Sequence, residues 1–118
     1  MDLKDIKELL KCKNLTEENI LDRQIKSAYA ADMMSDVLKS CETGALLITG
    51  LINQQVVQVA EIMDLKGIVF INGKEPSQDV IDKAHTIKLP LLSTIMNMYE
   101  VCGILFNSGL KCSKKSEK

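Results

Sequence analysis

Three short apolar runs, each closed by small polar residues, constrain the fold of this chain more than any other feature. Ala45-Leu46-Leu47-Ile48-Thr49 ends at Gly50, Gly67-Ile68-Val69-Phe70-Ile71 ends at Asn72-Gly73, and Leu89-Pro90-Leu91-Leu92 ends at Ser93-Thr94. A strand that alternates apolar and polar residues shows one face to water, whereas an unbroken apolar run has both faces covered. The runs recur about every 22 residues, which leaves room for one helix in each gap and makes the connections parallel, right-handed crossovers. The expected fold is therefore α/β, a small mostly parallel sheet with flanking helices in a single domain.

The stretches around the runs carry helical spacing. Leu3, Ile6, Leu9 and Leu10 predict a helix over Asp2 to Lys11. Asn14 to Glu18 reads as a loop that opens a short helical turn, and Ile25 to Ala30 as a weaker first strand. Asp32 stands where an N-cap belongs, ahead of Met33, Met34, Val37, Leu38 and Cys41. Asn53 precedes Val56, Val59, Ala60 and Met63, and Pro76-Ser77 opens a helix that buries Val80, Ile81, Ala84 and Ile87. The last helix is expected from about Ile95 to Asn107, with Ile95, Met98, Tyr99, Cys102, Leu105 and Phe106 facing inward.

Composition narrows the chemistry. A chain of 118 residues buries roughly two-thirds of its unfolded surface on folding, enough for a core without disulfides or a structural metal. Cys12, Cys41, Cys102 and Cys112 lie 29, 61 and 10 positions apart; with no Cys-x-x-Cys pair and one histidine, His85, they read as free thiols rather than metal ligands. No cofactor or metal is expected. There is no tryptophan, and Arg23 is the single arginine beside fourteen lysines. The start, Met1-Asp2-Leu3-Lys4-Asp5, is mixed in charge with no apolar core behind it, so the expectation is a cytoplasmic protein away from membranes. Residues 111–118 hold four lysines and one glutamate, a charge of +3 that leaves −4 for residues 1–110. That divides the chain into a domain at 1–110 and a basic, disordered tail at 111–118. A lysine tail is also what nucleic acid attracts, but the acidic body and scarce aromatics argue against that partner.

In open parallel sheets, ligands bind beyond the carboxyl ends of the strands, where helix N-termini present free N–H groups. Asp32, Ser35, Asp36, Thr49, Gly50, Asn72, Gly73, Ser93 and Thr94 all map to that edge and form the candidate ligand-binding set together with Arg23. Each is also a residue type that ends a strand or starts a helix. Specific chemistries fail on spacing. Gly73-Lys74 is followed by Glu75 and lacks the earlier glycine of a phosphate loop, and no two glycines lie two apart as a dinucleotide fingerprint needs. A phosphoacceptor receiver would need an aspartate where the central strand ends in Asn72. His85 falls mid-helix on the side away from Val80, Ile81 and Ala84, so neither a nucleophilic triad nor acid–base catalysis has support; no catalytic residue is assigned.

The segments Asp22-Arg23-Gln24-Ile25-Lys26-Ser27-Ala28-Tyr29-Ala30-Ala31-Asp32-Met33-Met34-Ser35-Asp36, Leu47-Ile48-Thr49-Gly50, Val57-Gln58-Val59-Ala60-Glu61, Gly73-Lys74-Glu75-Pro76 and Leu91-Leu92-Ser93-Thr94 together resemble a DRTGG domain, in order and spacing, over Leu3 to Leu110. The resemblance implies an α/β domain found alone or as a regulatory module beside phosphotransacetylases and CBS-domain pyrophosphatases, related to the N-terminal part of HPr kinase/phosphorylase, and not itself catalytic. It carries Asp22, Arg23, Asp32, Ser35, Asp36, Thr49, Gly50, Gly73, Ser93 and Thr94 as the motif positions. Asn72, where a variable and often basic residue is usual, departs from the pattern.

Two functions follow as expectations. One is a stand-alone, non-catalytic regulatory or ligand-sensing module acting through a homodimer and a partner protein; Met33, Met34, Met96 and Met98 map near the strand edge, where methionines suit either an adaptable interface or core filling. The other is a binding protein or enzyme for a small anionic, nucleotide-type ligand at Thr49, Gly50, Ser93 and Thr94, with Arg23 or Lys74 as counter-charge.

Overall fold

The computed structural model describes residues 1–16 and 21–115. Among these, β1 (Lys13–Asn14), β2 (Ser27–Ala30), β3 (Leu46–Thr49), β4 (Gly67–Phe70), β5 (Leu91–Ser93) and β6 (Lys111–Cys112) form one sheet in the order β1-β5-β4-β3-β2-β6. β1 is antiparallel to β5 and all other pairings are parallel. The helices are α1 (Leu3–Leu9), α2 (Met34–Ser40), α3 (Gln54–Ile62), α4 (Gln78–Thr86) and α5 (Met98–Asn107).

The three apolar runs become the central strands, for the reason their composition suggests: both faces are covered. The pleat sends Leu47, Ile68, Phe70 and Leu91 to one side, where Val37, Val56, Val57 and Val80 of α2, α3 and α4 meet them. Leu46, Ile48, Val69 and Leu92 point the other way, against Leu3 and Ile6 of α1 and Val101 and Leu105 of α5. Each fully buried aliphatic side chain contributes about 1.5–3 kcal/mol of transfer free energy, so these two layers supply most of the drive to fold. Gly67 lets α1 come close: a Cβ there would meet a Leu3 methyl at 3.2 Å.

Four readings change. Asp32 is not the cap of α2; Met33 occupies that position without a side-chain cap bond. α5 begins at Met98, capped by Asn97 and Glu100 in a reciprocal box, rather than at Ile95. Ile95, Tyr99 and Phe106, expected inside, are 86%, 88% and 75% exposed. α5 is apolar almost all round, so its periodicity does not single out one face, and the late start sets the phase by Val101 and Leu105. The segment expected as a tail continues, from Lys111, as β6 along the open edge of β2. It is held there by Ser113 N–H to the Ala28 carbonyl (2.8 Å) and Lys115 N–H to the Ser40 carbonyl (2.8 Å); residues 116–118 lie outside the described residues, as do Glu17 and Glu18 of the expected helical turn. Among the described residues no helix is long and apolar enough to cross a membrane.

Candidate functional site

At the carboxyl ends of β3, β4 and β5 the loops are tied to one another. Asp32, just after β2, reaches across to the β3–α3 loop, where one carboxylate oxygen accepts the Gly50 N–H at 2.7 Å and the Thr49 hydroxyl at 3.2 Å. The Thr49 hydroxyl in turn accepts the Leu51 N–H at 3.1 Å. Next door, Asn72 and Gly73 both adopt positive φ, 58° and 68°, the left-handed region in which asparagine and glycine are the least strained residues. The turn is closed by Lys74 N–H to the Ile71 carbonyl at 3.1 Å and pinned to the following loop by Asn72 N–H to Met96 and Gly73 N–H to Thr94, both 2.8 Å. The Asn72 departure noted in the sequence is thus a residue suited to its backbone.

Lys74 then lies over Gly50: its ammonium donates to the Gly50 carbonyl at 3.4 Å. A Cβ built on Gly50 would sit 3.5 Å from both the Asp32 carboxylate and the Lys74 ammonium, an ordinary contact distance, so an acid and a base both stand against this one backbone unit. Ser93 donates to the Lys74 carbonyl at 2.8 Å, and Thr94 to the Leu10 carbonyl at 2.7 Å while accepting the Met96 N–H at 3.2 Å. The three hydroxyls of the edge are therefore all engaged within the protein. Thr49, Ser93 and Thr94 are also buried. This arrangement holds loops in place; it presents no nucleophile with a base behind it.

Of the ten candidate residues, seven meet at this edge: Asp32, Thr49, Gly50, Asn72, Gly73, Ser93 and Thr94. Ser35 and Asp36 stand exposed in the first turn of α2, with Asp36 bonded through its N–H to the Met33 carbonyl. Arg23 is elsewhere. Its guanidinium donates to the Lys88 carbonyl at 2.6 Å and lines crevices with Asp64, Lys66, Lys88 and Leu89, which precede β4 and β5 and so mark the amino ends of the strands. Arg23 cannot serve as counter-charge at the carboxyl edge; the cations there are Lys74 and, opposite Ser93, Lys13, whose ammonium is paired with Glu75 at 3.4 Å. His85 belongs to the last turn of α4, which leads to that same amino end. Among the described residues no cluster of three or more His, Cys, Asp or Glu side chains is placed to hold a metal.

A model of the DRTGG domain matches residues 5–108, from the capping box of α1 to the end of α5. The chain belongs to the DRTGG domain family. A solved structure shares the fold of this DRTGG domain: the CBS and DRTGG domains of the regulatory region of Clostridium perfringens pyrophosphatase, complexed with the activator diadenosine tetraphosphate. The two superpose with a TM-score of 0.75 at 14% identity, over 94% of this chain and 50% of that one, so this chain spans about half the length of its solved relative. No curated protein matches it. The domain's own signal in the sequence was the order of segments; what single residues do not announce is the bonding between loops, which joins Asp32 to Gly50 across 18 positions and Thr94 to Leu10 across 84.

Proposed function

We propose that this DRTGG domain is a non-catalytic regulatory module that acts through self-association and a partner protein, in the cytoplasm. The outer face of α5 carries the reading. Tyr99 and Phe106 stand seven residues apart on one side of the helix and are 88% and 75% exposed, with Gly103 between them and open space where its Cβ would be. Residues at positions i, i+4 and i+7 share a helix face, and a glycine at the centre lets a second backbone approach closely. Large exposed apolar side chains at that spacing are the sign of an interface, and a closed two-fold pair is the commonest way to cover one. The bonded hydroxyls at the strand edge support the non-catalytic part. Light scattering at increasing concentration tests the reading: the expected result is a mass rising toward twice 13.1 kDa, reverting to one chain in Tyr99→Glu. A chain that stays monomeric at high concentration sinks it.

A second reading, recognition of a nucleotide-type anion at the carboxyl edge, has its own observation. Lys74 is exposed and donates to the Gly50 carbonyl in the loop that leads into α3, and the α3 cap Asn53 makes no side-chain hydrogen bond to the first turn, so an uncapped helix N-terminus follows the loop that the cation contacts. The solved relative carries diadenosine tetraphosphate. Thermal-shift titration with diadenosine tetraphosphate, ATP and acetyl phosphate separates the readings: a stabilising shift lost in Lys74→Ala favours the ligand, and no shift beside a concentration-dependent dimer favours the protein-binding role alone.

A further inference from the structure

The amino ends of the strands carry two adjoining crevices that share Arg23 and Asp64. The outer one, about 400 Å3, is lined by these two with Gln24 and Lys66. The inner one, about 140 Å3, lies between the ends of α3 and α4, with Glu61 and Asp64 on one side and Ile87 and Lys88 on the other. The groove follows from the architecture: both helices finish at this end of the sheet, and each is turned back toward its strand by a residue at positive φ, Asp64 at 50° and Lys88 at 58°. Both turn residues are charged and exposed, where glycine or asparagine would sit with less strain.

Opposite charges line these crevices without closing on one another. Arg23 is half-buried and its guanidinium has five N–H donors, one of which goes to the Lys88 carbonyl at 2.6 Å. Among the described residues it makes no other hydrogen bond and no ion pair, and the side chains of Glu61, Asp64, Lys66 and Lys88 make none at all. The crevices differ in sign. In the outer one two cations face one carboxylate. In the inner one Glu61 and Asp64 balance Arg23 and Lys88, and the C-terminal ends of α3 and α4 add roughly half a negative charge each. The bond from Arg23 to a carbonyl just past α4 is itself a cation drawn to that end. A lone carboxylate would meet Asp64 and the helix ends, and a lone ammonium would meet Arg23 and Lys66. A molecule that carries both charges a few bonds apart answers each crevice with the sign it lacks.

We propose that the two crevices form one site for a small α-amino acid, its carboxylate taken by Arg23 and Lys66 and its ammonium by Asp64 at the ends of α3 and α4. A guanidinium fork meets a carboxylate with two parallel N–H bonds, which an ammonium cannot do, and Arg23 is the one arginine beside fourteen lysines. The proposal keeps Arg23 as a ligand residue and moves it to the opposite end of the strands from the other candidates. The site shares no residue with the exposed face of α5 or with Lys74, so it depends on neither self-association nor a nucleotide at the carboxyl edge.

L-alanine is the probe, with propionate, which lacks the ammonium, and ethylamine, which lacks the carboxylate, as partners of similar size, in titrations of the full chain followed by amide NMR. L-alanine should give saturable shifts centred on Gln24, Asp64, Lys66 and Lys88 and bind roughly threefold tighter than either partner, the order expected for one accessible charge pair. Asp64→Asn suits the positive φ of its position, so the fold should persist while L-alanine weakens roughly threefold and propionate is unchanged. Lys66→Gln should weaken L-alanine and propionate alike and leave ethylamine as it was. Arg23→Lys, which keeps the charge and loses the fork, should weaken the same two. Because Arg23 also bonds the turn after α4, its variant is read beside a folded spectrum, and Asp64→Asn decides alone where that fold is lost. No saturable shift in the parent chain, propionate or ethylamine binding as tightly as L-alanine, or undiminished L-alanine binding in Asp64→Asn would each overturn the proposal.

Discussion

Asp32 shows how a residue type can be visible in a sequence while its role is not. An aspartate ahead of a helical pattern predicts a cap for the helix that follows, because caps are local. Its real partners are Gly50 and Thr49, one crossover away, and nothing local encodes that contact. Asp32→Ala removes a carboxylate from a 2.7 Å bond to a backbone N–H and should cost about 1–2 kcal/mol, read as a lower midpoint in urea; Asp32→Asn, which keeps an acceptor, should recover part of it. Thr49→Val removes a buried hydroxyl that both donates and accepts, and should cost about 1–3 kcal/mol for the groups left unpaired. It therefore reads stability, and Lys74→Ala is the variant that reads ligand binding. The cysteines give a pH prediction. Burial pushes the Cys12 thiol from 9.0 up to about 12, against a smaller opposite pull from Lys7, and burial also raises Cys41 and Cys102. A raised thiol keeps its proton in the folded chain after the unfolded chain has lost it. The folded state then binds more protons, and stability falls as pH rises from about 9 toward 12. Urea midpoints across that window should drop more steeply for the parent than for Cys12→Ala.

The elements that were legible are those whose signal is burial on both faces. β3 and β4 fall within one residue of their expected bounds, since a short apolar run closed by turn residues has few other homes in an α/β fold. β1 and β6 were not legible: a strand of two residues, Lys13–Asn14 or Lys111–Cys112, exists only because a neighbouring edge offers unpaired backbone groups. α5 fails for a different reason, an excess of signal. Met98, Tyr99, Val101, Cys102, Ile104, Leu105 and Phe106 leave no polar side to fix its phase, and the phase is set by the Asn97–Glu100 box at its start. The box bonds Glu100 N–H to Asn97 at 2.9 Å and Asn97 N–H to Glu100 at 3.2 Å. Asn97→Ala should cost about 1 kcal/mol and lower the melting temperature by about 4–6 °C, while Asn97→Asp should be nearly neutral; differential scanning calorimetry measures both.

The whole molecule is finished by a segment whose composition suggests the opposite of order. Lysine-rich, with two serines and little that is apolar, residues 111–118 satisfy every compositional sign of a tail, yet Lys111 to Lys115 close the sheet. Hydropathy cannot show this, because the segment contributes backbone rather than apolar surface. β6 pairs with β2 at Ser27–Lys111 and Ala28–Cys112. Beyond it Ser113, 1% exposed, takes the Glu42 N–H at 3.1 Å and lies 3.7 Å from the Cys41 sulfur, and Lys115 donates through its side chain to the Leu38 carbonyl at 3.0 Å. The C-terminal segment thus ties β2 to the end of α2, the two elements that flank Asp32. Removing residues 111–118 breaks these bonds together and opens the edge of β2 to other chains. At about 1 kcal/mol for each net hydrogen bond, the shortened chain should lose roughly 3–5 kcal/mol, much of the margin of a small domain. It should also aggregate at concentrations where the parent stays in solution. Ending the chain at Lys115 keeps every one of these contacts and should match the parent in urea denaturation. If the shorter chain were instead as stable as the parent, the strap would be an ornament on a domain complete at Leu110, and the order of the sheet at β2 would rest on β3 alone.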